Sequence, residues 1–119
     1  MSEGFENDHY FVRQFDDITI VRLKDESLTG SLETMQISDQ LKQMVEDGTR
    51  KLVLDLKHVR FCGSAGLGML IGLNKKLQAA GGQFVLSHTE HSDQLLEISW
   101  TAKLFRIAAD PKEALGMFK

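Results

Sequence analysis

The sequence has one cysteine, one proline and no excess of positive charge. A lone Cys62 permits no intramolecular disulfide, and the chain is expected to work in a reducing, cytoplasmic compartment. One proline and ten glycines in 119 residues exclude low-complexity and disordered sequence. The formal net charge is −3. A nucleic-acid binder would carry a basic footprint instead, so nucleic acid is not an expected partner. No apolar run approaches the ~20 residues that span a bilayer, and no membrane insertion is expected. The first ten residues are polar and acidic, unlike a signal peptide. The length suits about one domain, which excludes a two-domain enzyme or an α/β barrel.

With 42% apolar and 26% charged residues, the chain can build one core and cover it. Residues 1–9 read as a flexible arm and residues 10–119 as one domain. Tyr10–Phe15 and Ile18–Leu23 are rich in β-branched and aromatic residues, with Asp16-Asp17 as the hairpin turn between them. A helix of about 15 residues follows, its apolar stripe formed by Ile37, Leu41, Met44 and Val45 at helical spacing, and Gly48 ends it. Lys51–Leu56 reads as a buried strand reached through a helix, which implies parallel pairing.

A strongly apolar helix then carries Leu67, Leu70, Ile71, Leu73 and Leu77 and stops at Gly81-Gly82. Gln83–Ser87 reads as a strand. Leu95, Leu96 and Ile98 read as a short helix near Trp100, and Leu104–Ile107 as a last strand. Asp110-Pro111-Lys112-Glu113 is a helix start, with Asp as cap, Pro at the first helical position and Glu to reach back. Alternating strands and helices give the α/β class: a mixed sheet of four to five strands with about four helices.

The chemistry concentrates at Cys62-Gly63-Ser64-Ala65-Gly66-Leu67-Gly68. A serine at a helix start sits among unsatisfied N–H groups and the positive end of the macrodipole. That place suits an N-cap hydroxyl, a bound anion or a phosphate carried by the serine itself. Two enzyme readings fail. Cys62 stands where a hydrolase nucleophile elbow needs its first glycine. The glycine spacing matches neither a dinucleotide fingerprint nor a Walker loop. His88-x-x-His91 with Glu90 offers too few ligands for a metal, and no metal or other cofactor is expected. Cys62 reads as a small buried apolar group. Met35, Met44 and Met69 read as helix-face packing, with a Met-lined partner surface as the alternative.

Thr29-Gly30-Ser31-Leu32, Leu52–Leu56, Phe61–Gly68, Gly81-Gly82 and Leu104–Ile107 occur in the order seen in STAS domains. Over about residues 10–119 the chain resembles the bacterial anti-sigma factor antagonists. The resemblance implies a STAS fold and a binding module without catalytic activity. It implies phosphorylation at Ser64 by a partner serine kinase, itself the anti-sigma factor, using ATP and Mg²⁺. Unphosphorylated antagonist would bind the kinase and free a sigma factor; a serine phosphatase would reset the switch. It further implies a partner surface built from Thr29, Gly30, Ser31 and Glu33 with Gly63, Ser64, Ala65, Gly66 and Met69. The family pattern places Asp before the serine, where this chain has Gly63. Glu33 keeps the charge that the family carries as Asp. The alternative is a non-phosphorylated STAS scaffold or an accessory subunit, in a stress-sensing assembly or on a lipid-transport ATPase.

Overall fold

The computed structural model describes residues 4–29, 31–89 and 105–118. Eight strands and three α-helices follow in chain order. They are β1 (Gly4–Glu6), β2 (Tyr10–Phe15), β3 (Ile18–Leu23), β4 (Ser27–Leu28), α1 (Leu32–Glu46), β5 (Lys51–Asp55) and β6 (Phe61–Cys62). Then come α2 (Ser64–Ala79), β7 (Gln83–Ser87), β8 (Arg106–Ala108) and α3 (Pro111–Leu115), which tightens into a 3₁₀ turn over Gly116–Phe118. Six strands form one mixed sheet in the order β1-β2-β3-β5-β7-β8, and β4 pairs with β6 in a separate two-stranded ladder.

The hairpin forms where expected. Tyr10 pairs with Leu23 and Phe15 with Ile18, and the turn residue Asp16 takes the left-handed backbone (φ 57°) that a two-residue connection requires. The pairings β3–β5, β5–β7 and β7–β8 are all parallel, because a helical crossover or a long connection separates each pair.

One expectation is corrected. The sheet has six strands rather than four to five, because Gly4–Glu6, inside the expected flexible arm, adds antiparallel to β2. This strand is held by backbone bonds and by Lys24 reaching Glu6, not by a buried apolar face. The described residues contain three of the expected helices; the one expected around Leu95–Ile98, together with Trp100 and Leu104, lies outside them.

The sheet has two unlike faces. On one, α1 and α2 cover a large core that includes Val21, Leu23, Leu41, Leu54, Leu70 and Leu77, all at most 2% exposed. Helix α1 points Thr34, Ile37, Leu41 and Val45 inward, with Met44 half-buried, and Gly48 ends it in left-handed geometry (φ 120°). Helix α2 buries Met69, Leu70, Leu73 and Leu77, while Leu67 and Ile71 sit half-buried at the rim. On the opposite face, α3 and its 3₁₀ turn cover Ile18, Val53, Val85 and Ala108 with Ala114 and Phe118. Helix α3 starts as the sequence predicts: Asp110 accepts from the Glu113 N–H at 2.8 Å, and Glu113 reaches back to the Ala109 N–H at 3.2 Å.

Candidate functional site

The two-stranded ladder decides what meets what. Ser27 pairs with Phe61 and Leu28 with Cys62, in parallel. Both strands then lead within a few residues into helices, so the starts of α1 and α2 lie at one end of the domain. The Gly63 N–H donates to the Leu28 carbonyl at 2.8 Å and stitches the second segment to the first.

On the α1 side, the cap is built from hydroxyls. Ser31 is the N-cap, its Oγ accepting from the Thr34 N–H at 3.2 Å. The Thr29 N–H donates to Thr34 Oγ1 at 3.2 Å, and Thr29 Oγ1 accepts from the Ser31 N–H at 3.3 Å. Glu33 lies exposed in the first turn, where its charge favours the helix dipole. Gly30 lies outside the described residues.

The α2 side differs. Its N-cap is Gly63, in extended geometry and without a side chain, and Ser64 is the first helical residue. Ser64 and Ala65 are exposed, and no described group bonds the Ser64 hydroxyl. The first turn carries no acidic residue either. So, among the described residues, the positive end of α2 stands without a capping side chain, next to an exposed hydroxyl.

Gly66 and Met69 do not join this surface. Both face inward, Met69 with 7% exposure, because three residues further along a helix returns to the same side. A side chain at Gly66 would run into Leu28. Met69 thus packs as a helix-face core residue rather than lying exposed beside Ser64.

The exposed apolar residues at this end are others. Leu32 (67% exposed) and Met35 (58%) lie on the first turn of α1, and Phe61 (57%) lies three residues before Ser64. The Phe61 ring rests against Gly63, at 3.3 Å from where a Cβ would be. Sequence reading passes over Leu32 and Phe61, since apolar residues at helix and strand starts usually turn inward. The one available signal is that Phe61 alternates with the buried Cys62 on a two-residue strand.

Cys62 is 4% exposed, and burial pushes its thiol up to about 11. His88 contributes to no metal cluster among the described residues. Its Nδ1 instead meets the buried Asp55 at 2.7 Å, and Glu90 and His91 lie outside the described residues.

The family model for the STAS domain matches residues 10–114. The chain belongs to the STAS domain family. A Bordetella bronchiseptica protein named as the anti-sigma factor antagonist BtrV is 30% identical over 95 residues, 79% of this chain and 82% of that protein. Among solved structures, a STAS domain protein from Planctomyces limnophilus has the same fold, with a TM-score of 0.80 at 18% identity over 92% of this chain and 97% of that one. Bacillus SpoIIAA in its phosphorylated form also has this fold, with a TM-score of 0.65 at 16% identity over the whole of both chains. Within this STAS domain, no described helix is long and apolar enough to cross a membrane.

Proposed function

We propose that this STAS domain is a partner-switching module of the anti-sigma factor antagonist type, and that Ser64 is the residue whose phosphorylation turns binding off. The observation that carries this reading is the exposed Ser64, its hydroxyl unbonded among the described residues, at the first position of an uncapped helix. Its relative BtrV is named an anti-sigma factor antagonist, and SpoIIAA, of the same fold, has a phosphorylated form. The partners are a serine kinase that is itself the anti-sigma factor, and a serine phosphatase. The module binds and releases; it does no chemistry of its own.

The energetics favour a switch over an unfolding event. A phosphate on Ser64 adds about −1.5 to −2 charge at neutral pH. The α2 N-terminus stabilises that charge by ~0.3–1 kcal/mol at an exposed site. A partner docked over Leu32, Met35 and Phe61 would have to desolvate the dianion instead, at a cost of several kcal/mol unless it is paired.

The test compares wild type, Ser64→Ala and Ser64→Asp for binding to the kinase by calorimetry, with intact mass after ATP. Wild type and Ser64→Ala should bind alike, Ser64→Asp should bind more weakly, and only wild type should gain 80 Da, about one phosphate. A scaffold that is never phosphorylated is the second reading, favoured by the absence of a carboxylate at Gly63. Equal binding of all three forms with no added mass would establish the scaffold instead.

A further inference from the structure

The described residues cover only part of the sheet face opposite α1 and α2. Helix α3 lies over the β5-β7-β8 half. Toward β1 and β2, beyond Ile18, the described residues leave an open cleft of about 520 Å³, within the usual range of small-molecule sites. Phe11, Ile20 and Pro111 give it apolar walls, and Arg13 and Arg22 give it two guanidinium groups.

The strand register explains how Arg22 is held. Phe11, Arg22, Asp55 and Ser87 fall in one row across β2, β3, β5 and β7. Asp55 is fully buried, and its Oδ2 takes the Arg22 Nε–H at 2.7 Å. Its Oδ1 accepts from the Ser87 hydroxyl at 3.2 Å and the Lys57 N–H at 3.2 Å, and meets His88 Nδ1 at 2.7 Å. Arg22 is therefore fixed through one nitrogen. No described group accepts from its two terminal amino groups, and its side chain is 37% exposed. Arg13 pairs with Ile20 in the adjacent row on the same face, and no described acidic group bridges to it. The one carboxylate among the described lining residues, Glu6, is taken by Lys24.

A pre-oriented guanidinium fork beside a second cation, over an aromatic and aliphatic floor, has a complementary ligand. We propose that this cleft binds a small amphipathic carboxylate, its flat apolar body on Phe11, Ile20 and Pro111 and its carboxylate on Arg13 and Arg22. The site is separate from the Ser64 end, and its test does not depend on the switch.

The probe pair is 2-naphthoate and 2-naphthamide, alike in shape and different in charge, titrated into ¹⁵N-labelled protein. Naphthoate should shift amides of β1, β2 and β3 saturably, and naphthamide should bind about tenfold more weakly or less. Arg13→Gln, which breaks no described ion pair, should weaken naphthoate about tenfold while leaving the spectrum folded. Arg22→Lys keeps a cation beside Asp55 but loses the fork, and should also weaken it. Equal binding of both probes, an unaffected Arg13→Gln variant, or no saturable shift up to about 5 mM naphthoate would overturn the proposal. So would shifts of the same amides on raising protein concentration alone, which would mean that a second copy covers this face.

Discussion

Gly66 and the Leu28 carbonyl are packed so closely that no β-carbon fits between them. One built at Gly66 would lie 2.4 Å from the Leu28 oxygen and 2.7 Å from its Cβ. The contact presses helix α2 onto β4 and so fixes the distance between the Ser64 turn and the Thr29–Glu33 segment. Two residues on, a β-carbon at Gly68 would meet nothing within 4 Å. Gly66→Ala should therefore destabilise the domain by several kcal/mol through overpacking against backbone. Gly68→Ala should raise stability by up to ~1 kcal/mol through helix propensity. Urea unfolding of the two variants checks the opposite signs.

Leu70 is fully buried at the centre of the larger core. Leu70→Ala should cost ~2–5 kcal/mol, partly in lost transfer energy and partly in the cavity left behind. A loss under ~1 kcal/mol in chemical denaturation would contradict its placement.

Gly63 already has the extended backbone of an N-cap (φ −78°, ψ −178°). Gly63→Asp should let a carboxylate accept from the first turn of α2, gaining a few tenths to ~1 kcal/mol at low salt. The gain requires the Phe61 ring to swing away from the 3.3 Å contact. Thermal midpoints at low and high salt should separate this charge effect, which salt removes, from packing, which it does not. If Ser64 is phosphorylated as proposed, the same variant should also gain phosphate faster than wild type.

Phe61 is exposed and contributes little to the fold. If the Ser64 end docks a partner, Phe61→Ser should weaken kinase binding at least ~10-fold, as loss of an aromatic anchor does. Its thermal midpoint should stay nearly unchanged. Parallel loss of binding and stability would assign Phe61 to structure instead.

The Cys62 thiol is raised from 9.0 to about 11 by burial. Its thiolate is therefore about a hundredfold scarcer in the folded state than in the unfolded state near pH 8. Iodoacetamide should label the native protein slowly and the urea-unfolded protein quickly. Because the folded value is the higher one, burial of the neutral thiol contributes fully below about pH 9. That contribution is lost as pH rises through about 11. Cys62→Ala should flatten the alkaline decline in stability.

Much of this was legible from the residues alone, and the gaps have physical causes. The hairpin, the parallel β5 and the α3 cap announce themselves because local chemistry and final structure agree. Strand β1 does not, since three exposed residues including a glycine carry no pattern and owe their order to a neighbour. The two-residue strands β4 and β6 are too short for alternation to register, yet they bring the two halves of the site together. Ser64 was readable as lying at a helix start; whether it is the cap or the first helical residue depends on one φ/ψ pair. Met69, expected on the partner surface, is buried, and Phe61, for which no placement was expected, is exposed. Apolar character says that a side chain prefers burial, while tertiary packing decides which one obtains it.

The sheet's register also sets the order in which the chain must find itself. The β2–β3 hairpin closes over two residues, a microsecond event. Arg22 and Asp55, by contrast, are 33 positions apart along the chain, and Asp55 and Ser87 are 32 apart. Each of those encounters must first close a long loop, so assembly should proceed at the slower pace of high-contact-order proteins. The buried carboxylate joins three strands that no local turn connects, so it belongs to a late step. Weakening Asp55 should therefore hasten unfolding far more than it slows folding.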